Sequence, residues 1–442
     1  MIEAGKIGKY ISNYSDSAKS LSGLYKSYTA ESLAIHRRSP ATGRSSCNKL
    51  ANDWRGLIVD QCVGYMFGSP ISYSIAKDAV VDEKKRVEYQ KTLDEFLRLN
   101  SIEDLDSETG EMCGVCGFAD RLLRINSAGE ITIMLLEPWN TIRVTDRDGN
   151  ETDVIYCYQG EDEQGNSILK AEVYDKNNIY FYKQINGTTQ GNTAVYVEDR
   201  PSVSHNFIDI PVVRFLNNSN MIGDFEKVNR LIDSYDKLVS NNQDELDEFR
   251  QAYLTIIGAS IASDEVRKMR ETGVIELPED SAMSFLIKDI NCEFNKHQLE
   301  VLKSNIYRFS KTVDMGDSDF SGGGQTGESR KWKLLGLENK AKKKERKFVA
   351  GLRDMFYLVC GVWKSSGIDL NYNDIRFSFT RNLPVELITA ADVASKIAGI
   401  VSQRTLVEQM PFVTDVEEEM RRIEDEKTDY LDIDSVGGED AE

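Results

Sequence analysis

The stretch GDFEKVNRLIDSYDKLVSNNQDELDEFRQAYL, from Gly223 to Leu254, decides the fold class. Its apolar residues recur every three or four positions, which is the spacing of one face of a helix. These positions are Val228, Leu231, Ile232, Tyr235, Leu238, Val239, Leu246, Phe249 and Tyr253. Asp224 stands where an N-cap residue is expected. The stretch therefore predicts a helix that starts after Asp224 and could exceed roughly 25 residues.

A second apolar stripe lies further along the chain. It consists of Leu299, Leu302, Ile306, Phe309 and Val313. Alternating intervals of three and four are typical of a helix that packs lengthwise on another helix. Between the two helices, residues 259–289 contain Gly273, Pro278 and two short strand-like runs. The sequence thus predicts two long helices joined by a small α+β insertion.

Outside this pair of helices the pattern changes. Residues 131–218 form short alternating or apolar runs separated by Gly, Asn and Asp, which predicts a mostly antiparallel sheet. A further strand is predicted at 374–379. Helical spacing is found over 46–68, 82–99, 329–365 and 385–427. The predicted fold class is therefore α+β.

The chain of 442 residues has a formal net charge of −19. Such an acidic chain is not a general nucleic-acid binder, because that binding depends on Lys and Arg replacing counterions on phosphates. Glu3, Lys6 and Lys9 interrupt any apolar signal segment, and the uncharged run Tyr253 to Ser263 is too short to span a membrane. Seven scattered cysteines indicate folding in a reducing cytoplasm rather than a disulfide scaffold. We expect neither an export signal nor a membrane span.

Charge is distributed unevenly along the chain. Residues 415–442 hold 13 acidic side chains against three basic ones, which predicts a solvated acidic tail. Residues 330–347 hold nine basic side chains against two acidic ones. A basic cluster on the predicted helix comprises Lys340, Lys342, Lys343, Lys344, Arg346 and Lys347. It covers nearly the whole helix circumference, so it is either a solvated face or a surface that pairs with acidic groups of a neighbouring copy or with phosphate.

The loop DSDFSGGGQTGES, residues 317–329, resembles several ligand-binding motifs. Its glycines fit a phosphate-binding loop, but Glu328 replaces the lysine that would face the phosphates. Its glycines also satisfy GxGxxG, yet a helix rather than a strand leads into it. Asp317, Asp319, Ser321 and Glu328 match ligand positions of a calcium loop, although three further glycines raise the ordering entropy. The plain alternative is a flexible polar loop between two helices.

The cysteines and histidines suggest no catalytic centre. Cys113 and Cys116 have redox-motif spacing, but their neighbours look strand-like and no second pair exists to complete a zinc site. We expect them to be structural. His36, His205 and His297 are widely separated, so neither a catalytic triad nor a histidine metal centre is indicated.

Several strings, in this order and spacing, resemble the portal proteins of tailed bacteriophages, specifically the long-tailed type that form the head-tail connector. The strings are IVDQCVGYMFGSPISY (58–73), IPVVRFLNN (210–218), GDFEKVNRLIDSYDKLVS (223–240), EFRQAYL (248–254), VIELPED (274–280), LLGLENKAKKKERKF (334–348), RNLPVE (381–386), SQRT (402–405) and PFV (411–413). The stretch before Asn48 matches poorly.

The resemblance implies an α+β portal fold, with wing, long-helix stem, small α/β clip and helical crown, assembled as a dodecameric ring. On this sequence the implied parts are the wing at 1–222 (N-terminal helices, then the antiparallel β region), stem helices at 223–258 and 291–315, the clip at 259–290, a tunnel loop at 316–329, a long helix returning to the wing at 330–383, and the crown with the acidic C-terminal tail at 384–442. The implied residues of the tunnel loop at the DNA channel are Asp317, Ser318, Asp319, Phe320, Ser321, Gly322, Gly323, Gly324, Gln325 and Thr326. The implied subunit-packing residues of the stem are Leu231, Tyr235, Leu238, Leu299, Leu302, Ile306 and Phe309.

The resemblance also implies what the ring does. Double-stranded DNA would be packaged and ejected through it at the capsid vertex, with the terminase large subunit docking first and a head-tail adaptor protein later. Major capsid and scaffolding proteins would be further partners, in the host cytoplasm during assembly and then in the virion. No enzymatic activity, cofactor or metal is implied. The alternative interpretation is a calcium-responsive oligomeric adaptor that uses the loop from Asp317 to Glu328.

Overall fold

The computed structural model describes most of the chain, which divides into two compact units. The described residues are 2–40, 46–76, 82–161, 165–190, 193–249, 253–258, 267, 272, 281–286, 292–316, 327–382, 396, 399–408, 410, 413, 416 and 418–424. The first unit consists of Met1–Tyr25, Val59–Asp224 and Lys331–Glu442. The second consists of Lys26–Ile58 and Phe225–Arg330.

Helices and strands are both well represented, so the α+β prediction is confirmed. The helices are α1 (Ala4–Tyr28), α2 (Trp54–Phe67), α3 (Glu83–Leu99), α4 (Ile102–Cys116), α5 (Asn229–Phe249), α6 (Cys292–Ser310), α7 (Gly327–Ser365) and α8 (Gln403–Glu408). The strands are β1 (Ser72–Ile75), β2 (Phe118–Ile125), β3 (Ile131–Leu136), β4 (Thr141–Thr145), β5 (Glu151–Glu161), β6 (Ser167–Tyr174), β7 (Asn178–Gln190), β8 (Thr193–Ser204), β9 (Val212–Leu216), β10 (Tyr253–Ile257), β11 (Ala282–Leu286) and β12 (Ile375–Ser378).

In the first unit, strands β4 to β8 form an antiparallel sheet in sequence order. Alternate side chains of this sheet form a core cluster with the N-terminal helix α1, in which Ile7 is fully buried. Gly8 allows the close approach, since a Cβ there would lie 2.1 Å from the carbonyl oxygen of Ala194. Tyr14 Oη donates to the carbonyl oxygen of Pro138 at 2.7 Å, which fixes α1 further along the sheet edge.

Strand β2 is the central strand of a second sheet, ordered β3-β2-β9. The side chains on its two faces pack in different core clusters. Ala119 and Leu123 face the main core with buried residues of α7, such as Phe356. Leu122, on the opposite face, packs with Val154 of β5 in a separate cluster. Period-two alternation of a strand therefore places β2 between helix and sheet.

The second unit is built on α5 and α6, which pack on each other. Trp54 contacts Tyr235 of α5 and Tyr307 of α6 in edge-on geometry, with ring centroids 5.3 and 5.2 Å apart. Edge-to-face contacts of this kind are favoured by the quadrupoles of aromatic rings. The antiparallel pair β10-β11 belongs to the same unit.

The structure corrects the predicted helix of the opening stretch. It is 21 residues long and begins at Asn229, after a 3-10 turn over Glu226–Val228. Asp224 is therefore not its N-cap, and Tyr253 lies in strand β10 rather than in the helix. The 3-10 turn before the helix and strand β10 after it also contain apolar residues at helical spacing. A prediction from this spacing alone therefore made the helix too long at both ends.

Other sequence predictions are confirmed within the described residues. Helices lie at the expected places in α3, α6 and α7, the antiparallel sheets cover the predicted β region, and β12 is the predicted strand. Helix α2 begins later than the predicted residue 46. No helix of the described part of the chain is both long and apolar enough to cross a membrane.

Candidate assembly surfaces and buried charge clusters

Helix α6 presents apolar side chains on two different sides. Ile306 is fully buried within its own unit, whereas Phe309 is 56% exposed. Phe294 and Val301 are also exposed and lie on the same side of the helix as Phe309. The predicted stripe is thus divided between the interior of the unit and a surface that the single chain does not cover.

Helix α5 carries a polar stripe that the chain itself covers. Its members are Asn229, Asp233, Asp236, Ser240, Asp244 and Asp247. Asn52 donates to Asp236, Asn48 donates to Asp244 and Arg38 lies 2.7 Å from the same carboxylate. Arg38 and residues 48–55 are therefore held along α5 by hydrogen bonds and ion pairs.

A buried ion cluster centres on Asp224, whose side chain is 3% exposed. Lys344 Nζ lies 2.5 Å from one carboxylate oxygen and Lys340 Nζ lies 3.3 Å from the other. Asn217 donates a further hydrogen bond at 3.1 Å. Because Lys340 and Lys344 are one helical turn apart on α7, both ammonium groups reach the same carboxylate.

The surroundings of this cluster account for its charge state. Burial alone would raise the pKa of Asp224, but the charges of Lys344 and Lys340 outweigh it and hold that pKa below the usual value. Gly114 of α4 leaves room for the cluster, since a Cβ there would lie 3.2 Å from Asp224 Oδ2. The backbone N–H of Asp224 donates to the carbonyl oxygen of Gly114 at 2.6 Å. The ion cluster therefore joins α7 to the C-terminal end of α4 in the first unit.

A second ion cluster binds Glu338 and Glu345 of α7. Arg381 Nε lies 3.0 Å from Glu338 and Arg381 Nη2 lies 2.6 Å from Glu345. Tyr65 Oη also donates to Glu338, at 2.7 Å. These contacts and the Asp224 cluster leave only basic charge on the exposed side of α7 between Asn339 and Arg353.

Residues 7–431 match the family described as "Phage portal protein, SPP1 Gp6-like". The chain belongs to this phage portal protein family. The portal protein of Bacillus phage SPP1 is 27% identical over 417 residues, which cover 89% of this chain and 80% of that protein. The portal protein of Clostridium phage phiCD119 is 24% identical over 415 residues, covering 89% of this chain and 88% of that protein. The resemblance inferred from the sequence strings is confirmed.

The structure divides the six residues of the basic cluster in this portal-family chain. Lys344 is buried and Lys340 nearly so, both bound to Asp224, whereas Lys342, Lys343 and Arg346 are exposed and Lys347 is half-buried. The expectation that basic charge covers nearly the whole circumference is therefore wrong. An internal carboxylate far away in the sequence neutralises one side of the helix.

The ten named residues of the predicted tunnel loop, 317–326, lie outside the described residues. Gly327 and Glu328 form the first turn of α7. Neither relative nor the family match supports the calcium alternative.

The predicted stem residues are placed by α5 and α6. Leu231, Tyr235 and Leu238 of α5 are half-buried, as are Leu299 and Leu302 of α6. Only Phe309 among the seven predicted packing residues is largely exposed in the single chain. Phe309 is therefore the position at which packing between copies can be tested without disturbing the interior.

Sequence reasoning missed a buried arginine in the main core. Arg121 of β2 is fully buried; its Nη2 lies 2.8 Å from Asp106 Oδ1 and its Nε donates to Thr109 Oγ1 at 2.8 Å. The guanidinium stacks on the ring of Phe215, 4.4 Å from its centroid. Tyr73 Oη donates to the other oxygen of Asp106. Arg121 and Asp106 are 15 residues apart, and nothing in their spacing predicted the pairing.

The cysteine pair lies in a helix, not among strands as expected. Cys113 and Cys116 are near the end of α4, and both are buried cysteines that are not in a disulfide. Burial raises the pKa of Cys113 to about 12, so the group is a thiol at neutral pH. A reactive thiolate would need a helix N-terminus, whereas this pair occupies the opposite end.

The described histidines and acidic groups form no metal site. Among the described residues, no three His, Cys, Asp or Glu side chains are grouped to hold a metal ion. His205 accepts from the backbone N–H of Phe207 and contacts the carbonyl oxygen of Asp175, and burial lowers its pKa. It is thus a neutral, hydrogen-bonded structural residue.

Proposed function

We propose that this chain is the subunit of a phage portal ring, a dodecamer at the capsid vertex through which double-stranded DNA is packaged and ejected. The observation that carries the proposal is the family match over residues 7–431, which leaves out only the chain ends. The exposed apolar side of α6, with Phe294, Val301 and Phe309, supports it because an uncovered apolar helix face needs a partner surface.

The parts of the ring follow from the resemblance and the elements. In this proposal α5 and α6 are the stem helices, and the pair β10-β11 lies with the clip between them. The part of the chain before residue 223, with both larger sheets, supplies the wing, and α7, which begins at Gly327, returns to it from the tunnel loop. Residues 384–442 are the crown. In this proposal the tunnel-loop residues contact DNA in transit and no group performs catalysis.

The proposed partners are those that a portal vertex requires. The terminase large subunit docks during packaging, a head-tail adaptor protein replaces it, and major capsid and scaffolding proteins surround the ring. Assembly takes place in the host cytoplasm and the product is part of the virion. The strongly acidic chain suits a conduit, because acidic walls repel DNA within a screening length of about 8 Å.

The mass and symmetry of the purified chain test this proposal. Twelve subunits of 50.0 kDa give about 600 kDa, which light scattering measures directly. Negative-stain electron microscopy should show rings with a central hole. A compact monomer or dimer at every salt and protein concentration, with no ring in the presence of scaffolding protein, would contradict the proposal.

Replacing Phe309 with aspartate should weaken ring assembly. The side chain is 56% exposed in the single chain, so the charge costs little folding stability but enters the proposed packing surface of each copy. A loss of about 1–3 kcal/mol per interface is expected, which shifts assembly to roughly fivefold to a hundredfold higher protein concentration. Light scattering over a dilution series measures the shift.

The matched control for Phe309 is Val87, which is also 56% exposed but lies on α3. Val87→Asp introduces the same charge at equal exposure and should leave the assembly concentration unchanged. If both variants assemble like the parent chain, the exposed side of α6 is not a subunit interface.

A further inference from the structure

The exposed side of α7 is predominantly basic between Asn339 and Asp354, where Asp354 is the one exposed acidic residue. Its exposed charged residues between Asn339 and Arg353 are Lys342, Lys343, Arg346 and Arg353, all basic. Their spacing places them on one side of the helix, and half-buried Lys347 borders them. We call these five residues the basic stripe. It extends about 16 Å, from the rise of 1.5 Å per helical residue.

The neighbours of the basic stripe neutralise it only in part, since exposed Asp354 lies on the same side of α7 next to Arg353. Glu338 and Glu345, the other acidic residues of this part of α7, are bound to Arg381. Lys342 lies 3.4 Å from Glu338, which it shares with Arg381. Within the described part of the chain, no ion pair joins Lys343, Arg346, Lys347 or Arg353. Adjacent like charges repel each other, so an anionic partner would stabilise this surface.

The same chain contains a segment of matching charge. Residues 425–442 hold eight acidic side chains against Lys427 alone, a net charge of −7. They follow the helical residues 418–424, which belong to the same unit as most of α7. Eighteen residues reach up to about 60 Å when extended, about twice the diameter of a small domain.

Two of the acidic residues can meet the stripe together. Residues two apart share one face of an extended chain, so Asp432 and Asp434 point the same way, about 7 Å apart, whereas Asp429 points to the opposite face.

We propose that the acidic C-terminal segment, residues 425–442, docks on the basic stripe of α7. Covalent attachment raises its effective concentration to the millimolar range, so even a weak electrostatic contact is populated. Duplex DNA would instead have to approach a chain of net charge −19. The docked segment shields the stripe from nucleic acid, and its removal therefore increases the affinity of the chain for DNA. The inference concerns the single chain and does not depend on ring formation.

A peptide-binding experiment tests the docking. A fluorescent peptide of residues 425–442 is titrated with the chain truncated after Glu424, and anisotropy reports binding. Lys343→Glu combined with Arg346→Glu should weaken binding at least tenfold, because two contacts become repulsive. Raising the salt concentration from about 50 to 200 mM should weaken binding to the unsubstituted chain as well.

The control makes the same change in net charge at a different place on the surface. Lys85 and Lys91 are exposed on α3, and Lys85→Glu with Lys91→Glu alters the total charge by the same amount. This variant should bind the peptide within twofold of the unsubstituted chain. Equal loss in both double variants, or no measurable peptide binding at low salt, would overturn the proposal.

Crosslinking tests the docking in the intact chain without any substitution. A carbodiimide joins lysines to carboxylates in direct contact, so mass spectrometry should find Lys342, Lys343 or Lys347 linked to acidic residues of the segment. Mixing isotopically labelled and unlabelled chains shows whether the segment reaches its own stripe or that of a second copy. Absence of these crosslinks overturns the proposal.

Binding of a short DNA duplex by the full chain is a separate test. If Lys343→Glu combined with Arg346→Glu abolishes that binding, the stripe contacts nucleic acid in the full chain and the proposal is overturned.

Discussion

Replacing Asp224 with alanine is expected to lower the free energy of unfolding by about 3–5 kcal/mol, the usual range when one partner of a buried ion pair is removed. The substitution leaves Lys344 and Lys340 without their carboxylate, and Lys344 is 8% exposed. Desolvated ammonium groups without a counterion either lose their protons or draw water into the interior, and both cost free energy. Urea unfolding followed by circular dichroism, at fixed protein concentration, measures the change.

Asp369→Ala is the control for this substitution. Asp369 pairs with Lys364 at 3.3 Å, but both side chains are about three-quarters exposed, at 78% and 74%. Removal of a solvated pair should change the unfolding free energy by no more than about 1 kcal/mol. Equal losses in the two variants would mean that the Asp224 cluster adds no more stability than a surface pair.

The pH dependence gives a second check on Asp224. Its pKa in the folded chain lies below the ordinary value of 3.8, so the carboxylate favours folding. That contribution is fully present above the ordinary pKa and is lost as the pH falls through the lower folded value. The stability difference between the parent chain and Asp224→Ala should therefore be constant near neutral pH and shrink in acid.

The elements that could be predicted from sequence are those whose buried residues recur at regular intervals along the chain. Helices α3, α6 and α7 and the antiparallel sheets follow the spacing of their apolar residues, because each buries one face along its length. The helix α1 was not predicted, although Ile7, Ile11 and Tyr14 have helical spacing. Helix α4 was also missed, since Gly110 and Gly114 interrupt its pattern where other side chains pack closely.

The charged interior could not be predicted in the same way. The basic run of α7 looks like a solvated face, because the carboxylate that neutralises Lys340 and Lys344 lies more than a hundred residues earlier. The polar stripe of α5 did leave a signal, since Asp233, Asp236 and Asp244 recur at helical spacing. Acidic residues on a helix surface are normally expected to face solvent, and only the fold reveals that Arg38, Asn48, Asn52 and Arg55 cover them.

Replacing Arg121 with methionine is expected to destabilise the chain by about 3–5 kcal/mol at neutral pH. Methionine fills much of the same volume, so a cavity contributes little to the loss. What is lost is the cation that lies 2.8 Å from Asp106 and that also bonds Thr109 and the carbonyl oxygen of Leu105. Urea unfolding at several pH values measures both the size and the pH dependence of the effect.

The pH dependence distinguishes an unpaired carboxylate from a simple packing defect. Burial already raises the pKa of Asp106 more than Arg121 lowers it. Without Arg121 that pKa rises further, and an acid whose folded pKa is raised loses stability as the pH increases through that value. Arg121→Met should therefore be less stable, relative to the parent chain, at pH 8 than at pH 5. Adding Asp106→Asn removes the titrating group but keeps an acceptor for Tyr73, so the double variant should recover part of the stability and lose this pH dependence. A loss in Arg121→Met that does not vary with pH would show that Asp106 does not remain in the core as an unpaired acid.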